Sequence, residues 1–411
     1  MKKLLYGLIF AAAFLIGATS VFVAAAIFLE VDVFGVFVTS ASRAVGIFGE
    51  HFPQLHTRFG NVQIKTRPDK GGQRVDISCT DCQLVNKVLS STPLTTPQAL
   101  LEGSLVGKEF TGQIEVEGLK LNLNALWDKN NVTGKFVVPK SDISSLYHAV
   151  RTIVPEAESA TISGQLNGKG KFSWPKFYFL FEPEISGFTV DGLVDANTYK
   201  HGKFEYEVEN KDGARVRRES GETTNGWVNL EQVGRYLPSA IMALEDRGFY
   251  QHPGYDLESM IKVSADAKYG ERTRGASTIT QQLAKNLFLT DEHTYARKLR
   301  ELLYTVEMER ELGKKRIIEL YMNIVEWGPD IYGAAAAARI YFNKVPSELL
   351  PEEAAWMASI LNNPKTAYKK QYLTNSPNSK RTSIALGLMS AISDEARNQA
   401  LSRPIHFAKQ H

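Results

Sequence analysis

Gly275-Ala276-Ser277-Thr278-Ile279-Thr280-Gln281-Gln282-Leu283-Ala284-Lys285-Asn286 is the stretch on which the reading of the second half of this 411-residue chain turns. Ile279, Leu283 and Leu287 recur every four residues, the spacing of one apolar helix face. Gln281, Gln282 and Lys285 lie off that stripe, and Gln281 and Lys285, four apart, are neighbours on the helix surface. Side-chain amides beside an ammonium suit a sugar that carries a phosphate. The same pattern also fits an ordinary polar helix face.

The helical period continues on both sides. Pro238 stands where a helix can begin, and Ile241 and Leu244 share a face up to Glu245. Downstream, Leu299, Leu302, Leu303 and Val306 form a stripe stopped by Gly313, and Ile317, Tyr321 and Ile324 form another. Gly333 precedes an alanine run to Ala338. Pro351 with Glu352 and Glu353 opens a helix that runs to Leu361. From 227 onward the chain therefore reads as an all-α domain.

Two further segments carry chemistry. In Glu245-Asp246-Arg247-Gly248-Phe249-Tyr250-Gln251-His252-Pro253-Gly254, a carboxylate comes directly after an apolar helix face. Apolar neighbours disfavour its charged form and raise its pKa toward the range useful for proton transfer. In Arg297-Lys298-x-x-Glu301 both cations fall within one turn of the glutamate, so the three project together. A solvated ion pair of about 0.3–0.5 kcal/mol is the plain alternative.

Together these segments carry a resemblance. Glu245-Asp246-x-x-Phe249-x-x-His252-x-Gly254, then Gly275-x-Ser277-Thr278-Ile279-Thr280-Gln281-Gln282-Leu283-x-Lys285-Asn286, then Arg297-Lys298-x-x-Glu301, then Lys314-x-x-Ile317-Ile318-Glu319-x-Tyr321-Met322-Asn323 resemble, in order, the four motifs of the family 51 peptidoglycan glycosyltransferases. Trp327-Gly328-Pro329-x-Ile331-Tyr332-Gly333 resembles the monofunctional biosynthetic branch. The similarity covers roughly 222 to 370. It implies a lysozyme-like α-helical domain that polymerises lipid II into glycan strands by inverting transfer. Undecaprenyl pyrophosphate is released, and moenomycin inhibits. It implies catalytic roles for Glu245 and Glu301, with Glu245 as the base for the acceptor 4-hydroxyl. It implies substrate contacts from Asp246, Phe249, His252, Ser277, Thr278, Gln281, Gln282, Lys285, Asn286, Arg297, Lys298 and Asn323. Lys285, Arg297 and Lys298 are the candidates for meeting the departing pyrophosphate. Glu301 either orients these cations or holds a divalent cation, Mg2+ or Mn2+; no organic cofactor is implied. The resemblance implies a membrane-dipping helical jaw, and Asp256 to Gly270 is the candidate for part of it. One departure from the family pattern stands out: His293 occupies a place where the family usually has arginine, and a histidine cannot offer a bidentate fork to phosphate.

The first half reads differently. Leu119, Leu121 and Leu123 alternate with Lys120, Asn122 and Asn124. Ile162, Leu166, Phe172 and Trp174 share a parity with Gly164, Gly168 and Gly170. Period-two patterning with turn residues between runs predicts a β-rich domain over 45–205. One helix interrupts it, carrying Ile143, Leu146, Val150 and Ile153 and ending at Pro155. These glycine-rich amphipathic strands resemble periplasmic AsmA-type modules, which makes the domain a spacer or scaffold, with binding of other cell-wall synthesis proteins as an expected use. Charged residues between 206 and 221 predict a linker or an exposed hairpin. Cys79 and Cys82, the only cysteines, predict a local disulfide in an extracytoplasmic setting. A zinc site would need two more ligands, and a redox motif would need a βαβ context.

Residues 1–30 locate the chain. Lys2 and Lys3 precede an uncharged stretch from Leu4 to Leu29, long enough for the ~20 residues that cross a bilayer core. A cleaved signal peptide ending near Ala24-Ala25-Ala26 is the competitor, but its apolar region would run only ~7–15 residues. The length predicts a single-pass anchor in the cytoplasmic membrane, with a short cytoplasmic tail and the catalytic domain periplasmic. The predicted organisation is an α+β multi-domain chain: anchor 1–30, β-rich domain 45–205, linker 206–221, glycosyltransferase domain 222–375 and a C-terminal helical tail 376–411. A net charge of +3 gives no reason to expect a nucleic-acid partner. Ser259-x-x-Lys262 and Ser376-Pro377-Asn378 occur, but no Lys-Thr-Gly comes after them, so no transpeptidase is read. Two readings compete with the transferase. A lysozyme-like glycan-cleaving enzyme would share Glu245 but need no grouped cations. An envelope scaffold or lipid-binding protein with a weakened transferase domain would not require Glu245 and Glu301 to be intact.

Overall fold

The computed structural model describes residues 55–408 apart from 58–59, 70, 86, 88, 129–130, 175–177, 211, 260, 262–276, 291 and 293. The expected anchor, His293 and most of the expected jaw lie outside the described residues. Among the described residues no helix is long and apolar enough to cross a membrane. The chain forms two compact units. One comprises residues up to 193 with 257–276 and 292–303; the other comprises 194–256, 277–291 and 304–411.

The first unit is built on one nine-stranded antiparallel meander in sequence order. Its strands are β1 (Leu55–Thr57), β2 (Gly60–Asp69), β3 (Gly72–Leu84), β4 (Leu94–Val106), β5 (Glu109–Val116), β6 (Leu119–Asp128), β7 (Asn131–Asp142), β8 (Thr161–Trp174) and β9 (Tyr178–Asp191). Helices α1 (Ile143–Ala149) and α2 (Glu156–Ser159) lie between β7 and β8. Alternation places Leu119, Leu121, Leu123 and Ala125 of β6 on the buried face, as period two requires. Glycines at that parity make room for aromatic rings. Gly170 pairs across the ladder with Phe136, and Gly134 with Phe172. A Cβ on Gly170 would come within 2.1 Å of the Phe136 ring, and one on Gly134 within 2.4 Å of Phe172. Cys79 and Cys82 are joined as the expected disulfide.

The second unit begins with α3 (Ala196–His201) and a hairpin of β10 (Lys203–Glu209) and β11 (Arg215–Gly221). The segment 206–221 is therefore the hairpin and not the linker. Phe204 and Tyr206 point into the helical core, while Glu205, Glu207, Arg215 and Arg217 alternate outward. The helices come next: α4 (Leu230–Val233), α5 (Tyr236–Glu245), α6 (Ile279–Phe288) and α7 (Tyr295–Ile324), which is interrupted at Gly313 with φ of 72°. A small ribbon, β12 (Glu326–Gly328) and β13 (Ile331–Tyr332), precedes α8 (Ala334–Phe342), α9 (Pro351–Ile360), α10 (Pro364–Ala367), α11 (Ser379–Leu388) and α12 (Asp394–Ser402). The turns of α7 up to Leu303 belong to the first unit and the remainder to the second. Helix α9 is buried on all sides and packs against α5, α11 and α12. The residues 376–411, expected as a tail, supply Ala385, Leu386, Met389, Ile392 and Ala400 to the same core.

Candidate active site

Glu245 is the last residue of α5, and its side chain retains only 12% of its accessible surface. Arg381 of α11 donates to one carboxylate oxygen at 3.2 Å, and Gln282 of α6 donates its Nε2 to the other at 3.1 Å. The Gln282 carbonyl oxygen accepts from the hydroxyl of fully buried Tyr321 at 3.0 Å, which fixes the amide's orientation. Burial pushes the Glu245 carboxyl above its ordinary value, and Asp246 adds to this; Gln282 and Arg381 pull it back without cancelling the effect. The result is a carboxylate of enhanced basicity held by two donors, as a general base requires.

Other motif residues hold the site together. Asp246 accepts from the Ile279 backbone N–H at 3.0 Å and from His252 at 2.8 Å. The Gly254 N–H donates to His252 Nδ1, so the neutral ring carries its proton on Nε2 and donates it to Asp246. Thr278 caps α6, and Gln281 completes the capping box by accepting from the Thr278 N–H at 3.0 Å. A carboxylate at this helix start satisfies a free N–H and complements the dipole. Asp246, His252 and Thr278, expected on substrate, join the first and second motifs here, and Gln281 closes the cap within the second. Gln281 is only 1% exposed, which removes it from the polar face expected with Lys285.

Two more residues expected on substrate make contacts within the fold. Phe249 is buried in the core, with the Lys314 ammonium 4.6 Å from its ring centre. Lys314 also donates to Glu309 at 2.8 Å, and Glu309 in turn accepts from the Thr280 hydroxyl. Asn323 accepts from the Val228 N–H at 2.9 Å and donates to the Val228 and Glu319 carbonyls. Its amide mimics a strand partner for backbone and has little left for a sugar. Gln282, Lys285 and Asn286 along α6, and Ser277 just before its cap, remain partly exposed. Asn286 lines a cleft of ≈ 430 Å³ with Phe288 and the β10–β11 hairpin.

In the first unit, Glu301 accepts from Arg297 at 2.8 Å and from Lys298 with its other oxygen. Arg297, Lys298 and Glu301 are 6%, 5% and 1% exposed, so this is no solvated pair. The trio gathers two cations about one carboxylate, a set of donors with the chemistry to meet an anion. It does not fit a divalent cation. Both Glu301 oxygens already face cationic donors. Among the described residues no cluster of three or more His, Cys, Asp or Glu is present.

Arg381 was not legible from the motifs. The signal was there in Asn378, which caps α11, and in Ala385, Leu386 and Met389 at helical spacing.

The transglycosylase family model matches residues 212–390, a span that holds Glu245, Gln282 and Arg381. A biosynthetic peptidoglycan transglycosylase of Dechloromonas aromatica is 42% identical over 166 residues, 40% of this chain and 71% of that protein. One of Vibrio parahaemolyticus is 43% identical over 164 residues, covering 40% and 72%. The chain belongs to the transglycosylase family. Against the relative of Nitrosomonas eutropha, 46% identical over 140 residues, the chain spans 57% of the relative's length. Its family segment begins within the hairpin, at 212, and runs through α11 beyond the boundary of 375 expected from the motifs.

Proposed function

We propose that this transglycosylase is a peptidoglycan glycosyltransferase that polymerises lipid II with Glu245 as general base. The observation that carries the reading is the Glu245 carboxylate, held between Gln282 and Arg381 where burial raises its basicity. In the step proposed, Glu245 takes the proton of the acceptor sugar's 4-hydroxyl. The freed oxygen bonds to C1 of the lipid-linked glycan from the face opposite the leaving group. The C1–O bond to undecaprenyl pyrophosphate breaks, so the anomeric centre inverts once. Negative charge accumulates on the departing pyrophosphate, and the cations Arg297 and Lys298 beside Glu301 have the chemistry to stabilise it. Lys285 is a second candidate for that charge. The apolar stretch from Leu4 to Leu29 would anchor the enzyme in the cytoplasmic membrane, where a lipid-linked substrate resides, with the catalytic domain periplasmic.

Polymerisation of labelled lipid II by purified protein tests this. Wild type is expected to make glycan strands, with moenomycin blocking them, and Glu245→Gln to lose about 10²–10⁴-fold in rate. Folded wild type that makes no strands would overturn the transferase reading, and cleavage of preformed glycan instead would make it a hydrolase.

A further inference from the structure

The helix carrying Arg297, Lys298 and Glu301 is gripped by the β-rich unit on its other face. At 100° per residue, Arg297, Lys298 and Glu301 share one side of α7, and Ala296, Leu299 and Arg300 share the opposite side. Each of those three meets the sheet's connections. The Ala296 N–H, one of the helix's unsatisfied first-turn donors, donates to the Leu89 carbonyl at 2.9 Å. Tyr147 of α1 donates its hydroxyl to the Leu299 carbonyl at 3.2 Å. The Arg300 Nε lies 2.7 and 2.9 Å from the two oxygens of Glu156, the first residue of α2. Just before the helix, Ser91 donates to Glu292 at 3.2 Å, and the Glu292 carbonyl accepts from Arg297 itself. These are directional contacts from two connections of the sheet, one between β3 and β4 and one between β7 and β8. Glu156 is 7% exposed and Tyr147 1%, so neither contact is an incidental surface pairing.

We propose that Glu156 and Arg300 are a positioning pair through which the β-rich unit sets the placement of the Arg297–Lys298–Glu301 trio for a pyrophosphate group. A cation meant to meet a charge that develops during reaction must already be in place, because reorganisation at that moment costs rate. The trio sits on the first two turns of a helix, where fraying is greatest. The Leu89 carbonyl, Tyr147 and Glu156 hold those turns. The β-rich unit is then a working part of the transferase. The role assigned to the trio rests on the proposed transferase function; the grip itself does not.

The test uses the full chain with Glu156→Gln, Arg300→Gln, the double variant and Arg300→Lys. Melting temperature is recorded for each, along with steady-state kinetics on lipid II and calorimetric binding of inorganic pyrophosphate. Expected is a fall of about 10–100-fold in kcat, the scale of a small misplacement, with KM for lipid II nearly unchanged. Expected too are weaker pyrophosphate binding, partial rescue by Arg300→Lys, and a double variant no worse than either single. Single variants with wild-type kcat and pyrophosphate affinity would overturn the proposal while wild-type polymerisation leaves the transferase standing. Variants that lose only melting temperature would overturn it as well, reducing the pair to a structural contact. A wild type that binds pyrophosphate but makes no polymer, with binding weakened by Glu156→Gln, would remove the transferase reading and keep the positioning role.

Discussion

At Glu245, the burial that raises basicity works against stability at high pH. Burial raises the folded-state pKa of the carboxyl above its ordinary value. Between the ordinary and the raised value the native state binds more protons than the unfolded chain. The contribution to stability is thus fully present below the ordinary value and is lost as pH rises through the raised one. Glu245→Gln cannot ionise, so it is expected to melt higher than wild type at pH 8, with the gain vanishing at pH 4; a thermal-melt series across that range reads it directly. Arg381 works the other way, since its charge favours the carboxylate. Arg381→Gln is expected to move the acidic limb of the kcat/KM profile to higher pH, and an unmoved limb would show that Arg381 has no hold on the base. The motif order named Glu245 as the base and Gln282 among twelve substrate contacts, and the fold brings those two side chains together. Motif order could not separate residues whose polar atoms face a ligand from those, such as Asp246, His252 and Asn323, whose polar atoms close on backbone. Residue type fixes how many hydrogen bonds a side chain can make, and only the folded geometry says where they go.

At the scale of elements, periodicity carried well, because the spacing of 2 and of 3.6 comes from backbone geometry alone. The strands containing Leu119–Leu123 and Ile162–Trp174 and the helices before Glu245 and after Thr278 all appear where the patterns place them. The glycines in the strands were read only as sharing a parity with the apolar residues. Their purpose depends on register, and register pairs Gly170 with Phe136 and Gly134 with Phe172. Gly170→Ala is expected to cost about 1–3 kcal/mol through overpacking against the Phe136 ring, measured by chemical denaturation, and Phe136→Leu in the same chain should recover part of it. Helix α6 owes its start to the reciprocal Thr278–Gln281 box and to Asp246. Thr278→Ala is expected to cost about 1–2 kcal/mol and, because α6 carries Gln282, to lower activity as well.

At the scale of the molecule, the boundary of the helical unit was the least legible feature. The family motifs end well before 376, and residues 376–411 have weak amphipathicity and no recognisable chemistry. Core membership, however, is decided by which surfaces meet. Leu386, Met389 and Ile392 are buried with Trp356 and Tyr341 in one cluster, and Phe407 sits 4.7 Å from the Trp356 ring. Burying each such aliphatic side chain contributes roughly 1.5–3 kcal/mol, so Leu386, Met389 and Ile392 together rival a domain's entire margin of about 5–15 kcal/mol. A chain ending at Asn375 would lose them, uncover α9 and leave Glu245 without Arg381. It is expected to show no cooperative melting transition for the helical unit by circular dichroism, whereas a chain ending at Ala408 should melt like wild type. A truncated chain melting within a few degrees of wild type would mean that α11 and α12 are dispensable to the core. The placement of the base would then have to be secured by Gln282 and the wall of α5 alone.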